Sequence, residues 1–214
     1  MKIFVKISAT LVVGAVLGAN TLFATGFNLS AKGTKTVTVS NKVGNSIASF
    51  SSKAPLEEIT GNASGIKGSF TIDPANIEAT TGKIEVAITS FQTGIELRDQ
   101  HLRGKDWLDA DAHPSIVFEI KKISGVQLVS SAAPKGIAKG MAEGTLTVHG
   151  VTKAVSFPIE IQYLEKSPAD VVMVKSDFSV SLKEHNIAGK KGIVGSKVAE
   201  TINVKVSLFG STGA

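Results

Sequence analysis

Residues 154–163 read Ala-Val-Ser-Phe-Pro-Ile-Glu-Ile-Gln-Tyr, and every second side chain from Val155 through Phe157, Ile159 and Ile161 to Tyr163 is apolar. Ala154, Ser156, Pro158, Glu160 and Gln162 fall between them. Successive side chains of an extended chain point to opposite faces, so this stretch is a strand with one dry and one wet face. The same period of two returns at Val198, Ile202, Val204, Val206 and Leu208, with Glu200 as the one charge on that face. It runs through Ile84-Val86-Ile88, Ile116-Phe118-Ile120 and Phe178-Val180-Leu182, and more weakly through Ile66-Gly68-Phe70-Ile72. Shorter β-prone runs lie at Thr36–Val39, Ile47–Phe50 and Met141–Val148. Strands that bury one face and wet the other are the mark of antiparallel sheets. Eight or nine of them predict a sandwich or a closed barrel.

Turn chemistry separates these runs. His149-Gly150-Val151-Thr152 joins two of them closely and predicts a hairpin. Asp73-Pro74 and Thr81-Gly82 are expected to bracket one connection, and the small, Gly- and Pro-containing stretch Ser130–Gly140 is expected to be a mobile loop. Nothing repeats, and no linker divides the chain.

One segment breaks the alternation. Residues 93–111 read TGIELRDQHLRGKDWLDAD, with Leu97, His101, Leu102, Lys105 and Leu108 at helix-like steps. Gly104 weakens a helix there, so a short or broken one is expected, crossing the sheet or capping its end. An apolar pocket beneath such an element suits a small-molecule site.

The first 24 residues form a unit of their own. Lys2 and Lys6 precede an uncharged apolar run from Ile7 to Ala19, and Ala24 supplies a small residue for cleavage. This layout predicts an export signal over residues 1–24. The apolar run is shorter than the roughly 20 residues needed to span a bilayer. Residues 25–214 are then one domain with no transmembrane helix, bound for the periplasm. Removing Lys2 and Lys6 from 23 basic residues leaves 21 against 18 acids, about +3. A charge this small and evenly spread gives no reason to expect nucleic acid. The absence of cysteine excludes a disulfide scaffold, a thiol nucleophile and cysteine-held metals.

Catalytic constellations are scarce. His101, His113, His149 and His185 show no i, i+4 pair and no HExxH, so they are read as isolated surface or loop histidines and no metal is expected. Asp106, Asp109 and Asp111 are read as solvated charges, since the DxDxDG calcium pattern is missing. Neither GxSxG nor a phosphate loop occurs. Trp107, the only tryptophan, is equally suited to stacking on a ligand and to plugging the core.

Two stretches carry a resemblance. Arg98-Asp99-x-His101-Leu102-Arg103, then Asp106-Trp107-Leu108-Asp109, then His113-Pro114-x-Ile116-x-Phe118 resemble the RDxHLRSxDFFDxxxxPxIxF stretch of the YceI-like family. Gly144-Thr145-Leu146-Thr147-Val148-His149-Gly150-Val151-Thr152-Lys153 is similar to that family's GxLTIHGVTKxV strand–turn–strand. The resemblance spans roughly residues 35–209. It implies a lipocalin-like, extended antiparallel β-barrel of about eight strands with a short crossing helix. It also implies an exported protein that binds a polyisoprenoid, an isoprenoid quinone or a fatty-acid derivative. The sequence departs from the family at Trp107-Leu108, where aromatic pairs are usual, and at Lys183–Ile187, where the expected turn glycine arrives late as Gly189.

Strands of ten to twelve residues rise about 35 Å, and barrel tilt reduces this to about 27 Å. That is ample for a lipid tail lying lengthwise. From the apolar faces, Phe50, Phe70, Ile84, Val86, Ile88, Phe118 and Ile120 are expected to line the interior. Leu146, Val148, Phe157, Ile159 and Ile161 join them, with Leu102 and Trp107 from the crossing segment. Arg98 and Asp99 are adjacent on a helix and so do not face each other; each is expected to hold a different structural partner, either backbone or a strand residue. Alternatively Arg98 or Arg103 meets an anionic head group, because a guanidinium suits phosphate. The leading expectation is a carrier of a long-chain isoprenoid or acyl lipid with no cofactor and no catalytic residue. Two others compete: an enzyme modifying such a lipid near Arg98, Asp99 and His101, and an outer-membrane barrel. The oligomeric state is open, a homodimer included.

Overall fold

The computed structural model describes residues 25–55, 57–190, 192 and 195–213, so the expected export signal lies outside the described residues. In chain order the strands are β1 (Lys35–Val39), β2 (Ile47–Lys53), β3 (Glu58–Ala63), β4 (Ile66–Asp73), β5 (Asn76–Ala87) and β6 (Phe91–Gln92). The helix α1 (Glu96–Arg103) follows, then β7 (Ser115–Ser130), β8 (Lys135–Val148), β9 (Val151–Leu164), β10 (Val171–Ser181) and β11 (Thr201–Thr212).

Every ladder between these strands is antiparallel. Neighbours run β1-β4-β5-β7-β8-β9-β10-β11, and β11 returns to β1, with Val37 opposite Thr212, which closes an eight-stranded barrel. β2, β3 and β6 extend three wall positions upward. β11 pairs with β1 through residues 210–212 and with β2 through residues 202–207. β3 then pairs with β2 and, over two residues, with β6.

Alternation sets which face is inside, and two local devices keep it in step. On β7 the register with β8 shifts between Ile120 and Lys122. This bulge turns Lys122 outward and brings Ile123, which is buried, back inside. At His149–Gly150 both residues have positive φ, 49° and 72°, the two-residue turn whose twist suits a hairpin.

Four expectations are corrected. Ser130–Gly140 is mostly strand, paired with β9 from Lys135 onward. Its glycines are small because the interior is crowded: a Cβ on Gly136 would lie 2.4 Å from the Phe27 ring, and one on Gly140 would lie 3.0 Å from Ile123. Thr81-Gly82 sits inside β5, where Gly82 lets Phe70 pack against the backbone; the turn is at Pro74–Ala75 alone. β11 begins at Thr201, so Val198 and Glu200 precede it, and the Glu200 carbonyl accepts from the Leu182 amide. β5 stops at Ala87, and Ile88 opens a 3-10 turn.

The interior divides into two apolar clusters. At one end Phe27 and Leu29, from the segment before β1, lie across the barrel against Ile72, Ile77, Tyr163 and Val172. Tyr163 is fully buried, and its hydroxyl donates to Asp170 at 2.6 Å. Burial first, and then Asp170, raise the phenol above its ordinary pKa. At the other end Ile88, Trp107, Leu108, Leu146, Val148, Phe157 and Ile187 form the second cluster beneath α1.

Candidate functional site

A cavity of about 510 Å³ occupies the barrel. That volume is within the roughly 300–1,000 Å³ of ligand pockets. Its wall includes Phe50, Phe70, Ile84, Val86, Leu102, Trp107, Phe118, Ile120, Leu146, Val148, Phe157, Ile159 and Ile161, thirteen of the fourteen positions expected from sequence. The exception is Ile88. Its 3-10 turn rotates it off the β5 face, its amide donates to the Pro114 carbonyl, and it is wholly buried away from the cavity. Trp107 is both plug and wall: it packs in the upper cluster and still borders the cavity. Gly189 (φ 67°) lies so close that a Cβ there would come within 2.6 Å of the indole. The late glycine is therefore what admits the tryptophan.

Most of the wall was not in the sequence-derived set. β10 contributes Val174, Phe178 and Val180, and β11 contributes Ile202, Val204, Val206 and Leu208. Their alternation was visible, and only the closure of β11 onto β1 shows that both strands share the interior with β5. Phe157 stacks on Phe178 at 3.8 Å and meets Phe118 at 5.4 Å, making an aromatic band across the wall.

The few polar groups along the shaft are already engaged. Thr80 donates to the Ile77 carbonyl at 2.8 Å, and Ser176 donates to the Pro158 carbonyl at 2.8 Å. The Ser52 hydroxyl accepts from the Ala199 amide at 2.8 Å. The shaft thus presents hydrocarbon to its contents. Charge collects at the α1 end. Arg98 meets Glu57 at 3.1 Å, and Lys197 meets the other oxygen of Glu57 at 3.5 Å. Glu57, Arg98, His101 and Lys197 all border the cavity. Ile95 and Leu97 border it too while 51% and 62% exposed, so the cavity reaches the surface there.

The crossing segment is held by its charged pair, through different partners as expected. Asp99 is buried and accepts from the Thr93 amide at 2.7 Å and the Thr93 hydroxyl at 2.6 Å. Arg98 departs from the expected backbone or strand partner: it reaches the side chain of Glu57, a loop residue that no sequence pattern marks. Arg103 donates to the Phe91 carbonyl at 3.0 Å and does not border the cavity, so the head-group alternative loses that residue. The helix also ends earlier than its expected face. Gly104 is its C-cap, which leaves Lys105 and Leu108 beyond it, and Leu97 stands largely exposed at the mouth of the cavity.

The outer faces of the strands carry ion pairs: Lys83–Glu85 at 2.8 Å, Lys67–Glu85 at 3.3 Å, Lys122–Glu143 at 3.2 Å and Lys205–Asp177 at 3.6 Å. A lipid-facing band would be apolar there, so the outer-membrane reading finds no support in this wall. No described helix is long and apolar enough to cross a membrane.

A profile of the YceI-like domain matches residues 34–209. The chain belongs to the YceI-like family. A UPF0312 protein of Vibrio cholerae is 30% identical over 97 residues, 45% of this chain and 47% of that protein. The YceI-like chain thus aligns over about half the length of the curated relatives it matches. Among solved structures, BcnA of Burkholderia cenocepacia shares the fold with a TM-score of 0.62 and 20% identity, covering 80% of this chain and 98% of that one. A polyisoprenoid binding domain from Saccharophagus degradans, described as implicated in plant cell wall breakdown, has a TM-score of 0.59 and 14% identity. It covers 84% of this chain and 99% of that one. These likenesses establish the barrel of the YceI-like chain.

Proposed function

We propose that this YceI-like barrel is an exported binding or carrier protein for one long apolar chain, such as a polyisoprenoid, an isoprenoid quinone or a fatty-acid derivative. The observation that carries this is the shaft, whose wall is hydrocarbon and whose polar groups are all paired internally. The polyisoprenoid-binding neighbour has the same barrel, which supports the class of ligand. Each buried methylene contributes about 0.8 kcal/mol, against the cost of ordering the tail. The head group rests at the mouth beside His101, Lys197 and the Arg98–Glu57 pair. No catalysis is proposed, because Arg98 and Asp99 are both committed to holding the crossing segment. The basic start and apolar run of residues 1–24 support delivery to the periplasm.

The experiment is native mass spectrometry of the protein from a periplasmic fraction, with organic extraction of what it carries, followed by a ligand series. Affinity should rise with tail length at one head group, by up to about fourfold per methylene, and change little with salt. Val174→Trp, which fills the shaft, should abolish loading while the barrel stays folded. Affinity flat in tail length but altered a hundredfold by head-group charge would refute a tail-driven carrier.

A further inference from the structure

The histidines that look isolated in the sequence are not isolated in the fold. The end of the crossing segment and the β8–β9 turn meet outside the cavity, and they bring Asp109, His113 and His149 together. One ligand atom of each lies within 4.8 Å of the others. The two imidazole rings stand edge to face, with centroids 5.0 Å apart.

Two features set this cluster apart from a chance gathering of surface polar groups. First, its donors are unspent. The Nδ1 of His149 is buried with no hydrogen-bond partner. Among the described residues, no hydrogen bond or ion pair occupies the Asp109 carboxylate or the His113 ring. A buried imidazole nitrogen left without a partner is costly, and a cation supplies one. Second, the backbone is bent to make the meeting. Asp109 (φ 46°) and His149 (φ 49°) are two of the three non-glycine residues with positive φ among the described residues. The His113 amide closes onto the Asp109 carbonyl at 2.8 Å, which puts these two side chains one turn apart. Gly150 allows the contact: a Cβ there would lie 2.6 Å from the His113 ring.

We propose that Asp109, His113 and His149 form a site for a borderline divalent transition-metal ion, with zinc(II) as its reference occupant, at the rim and separate from the lipid cavity. Two imidazoles and one carboxylate suit zinc, copper or nickel and not magnesium or calcium, which prefer all-oxygen shells. Tetrahedral ligands about 2.1 Å from zinc stand about 3.4 Å apart. The half-buried side chains therefore close inward by about 1 Å, and solvent supplies the remaining position. The bound ion ties the far end of the crossing segment to the β8–β9 turn.

The test uses the purified protein stripped with a chelator, then titrated with zinc chloride against a chromophoric competitor. One zinc per chain is expected. Cobalt(II) in its place should give visible d–d bands, and copper(II) should show hyperfine coupling from two imidazole nitrogens. His149→Asn keeps a residue that tolerates the left-handed backbone, and His113→Gln sits in a half-exposed turn. Each should weaken zinc about 100-fold or more, since loss of even an outer-shell partner costs 10–100-fold. The exposed neighbour Asp106→Asn should bind zinc as the parent does. Zinc uptake that is absent, unchanged in both histidine variants, or matched by magnesium or calcium would overturn the assignment.

Discussion

The two ends of the barrel are built from the same strands and packed in opposite ways. At the end closed by Phe27 and Leu29, the side chains of Val37, Ile72, Ile77, Tyr163 and Val172 are at most 1% exposed, and glycine faces the ring of Phe27. At the α1 end, Phe118, Phe178, Val180 and Leu182 are only half-buried, although their alternation is as regular. Contact with neighbours on every side stabilises the first end. The second end leaves its wall residues facing open volume, and that volume is what a ligand would fill. Stability and capacity are thus assigned to different ends of one sheet.

The largest test of this division is Phe27→Ala. It should cost about 3–5 kcal/mol, as for other buried aromatic truncations, measured by denaturant unfolding. Phe178→Ala removes a ring that already borders the cavity, so it should cost no more than about 2 kcal/mol and should enlarge the shaft. Equal losses at the two positions would abolish the distinction between the ends.

Asp99→Asn comes next. It keeps the shape but weakens both hydrogen bonds from Thr93, and bonds to a charged acceptor are worth about 1.5–3 kcal/mol. Hydrogen exchange should show the loss confined to α1 and residues 91–95, with the closed end unchanged. Loss spread evenly over the barrel would mean that the crossing segment and the closed end form one cooperative unit.

The smallest effect is Tyr163→Phe, at about 1 kcal/mol near neutral pH for one hydrogen bond. Its value lies in the pH dependence. The folded barrel holds the phenol protonated above its ordinary pKa, through burial and then Asp170. The associated stability is complete below about pH 10, the unfolded value, and is lost as pH rises from there toward the folded value. The parent should therefore lose stability above about pH 10 more steeply than Tyr163→Phe. Parallel alkaline limbs would contradict this.

The sequence revealed the wall better than the mouth. Period-two alternation in β5, β9, β10 and β11 is a direct imprint of a wall wet on one side, and the motifs around Arg98–Asp109 and Gly144–Lys153 identified the family. Ile88 was misplaced because a 3-10 turn continues the apolar spacing while leaving the sheet. Ser130–Gly140 was misread because small residues mark crowding as readily as freedom. Glu57 and Lys197 were missed because ion-pair partners from separate loops leave no local period. Asp109 and His113 do stand four apart, but the third donor, His149, is supplied by a hairpin 36 positions further along the chain.

The short β6 has a kinetic consequence. β5 pairs with β7 only as far as Ala87 and Ser115, and β6 pairs with β3 alone. The ring of hydrogen bonds is complete around the closed end and interrupted between β6 and β7, where α1 and its side chains fill the gap. Opening the barrel at this gap therefore displaces side chains and a surface helix and unzips no ladder. Rotamer flips of exposed side chains take picoseconds to nanoseconds, and lid-like displacement of an element takes microseconds to seconds; neither requires the whole barrel to unfold. For the guest proposed above, exchange is therefore expected to be independent of the lifetime of the fold.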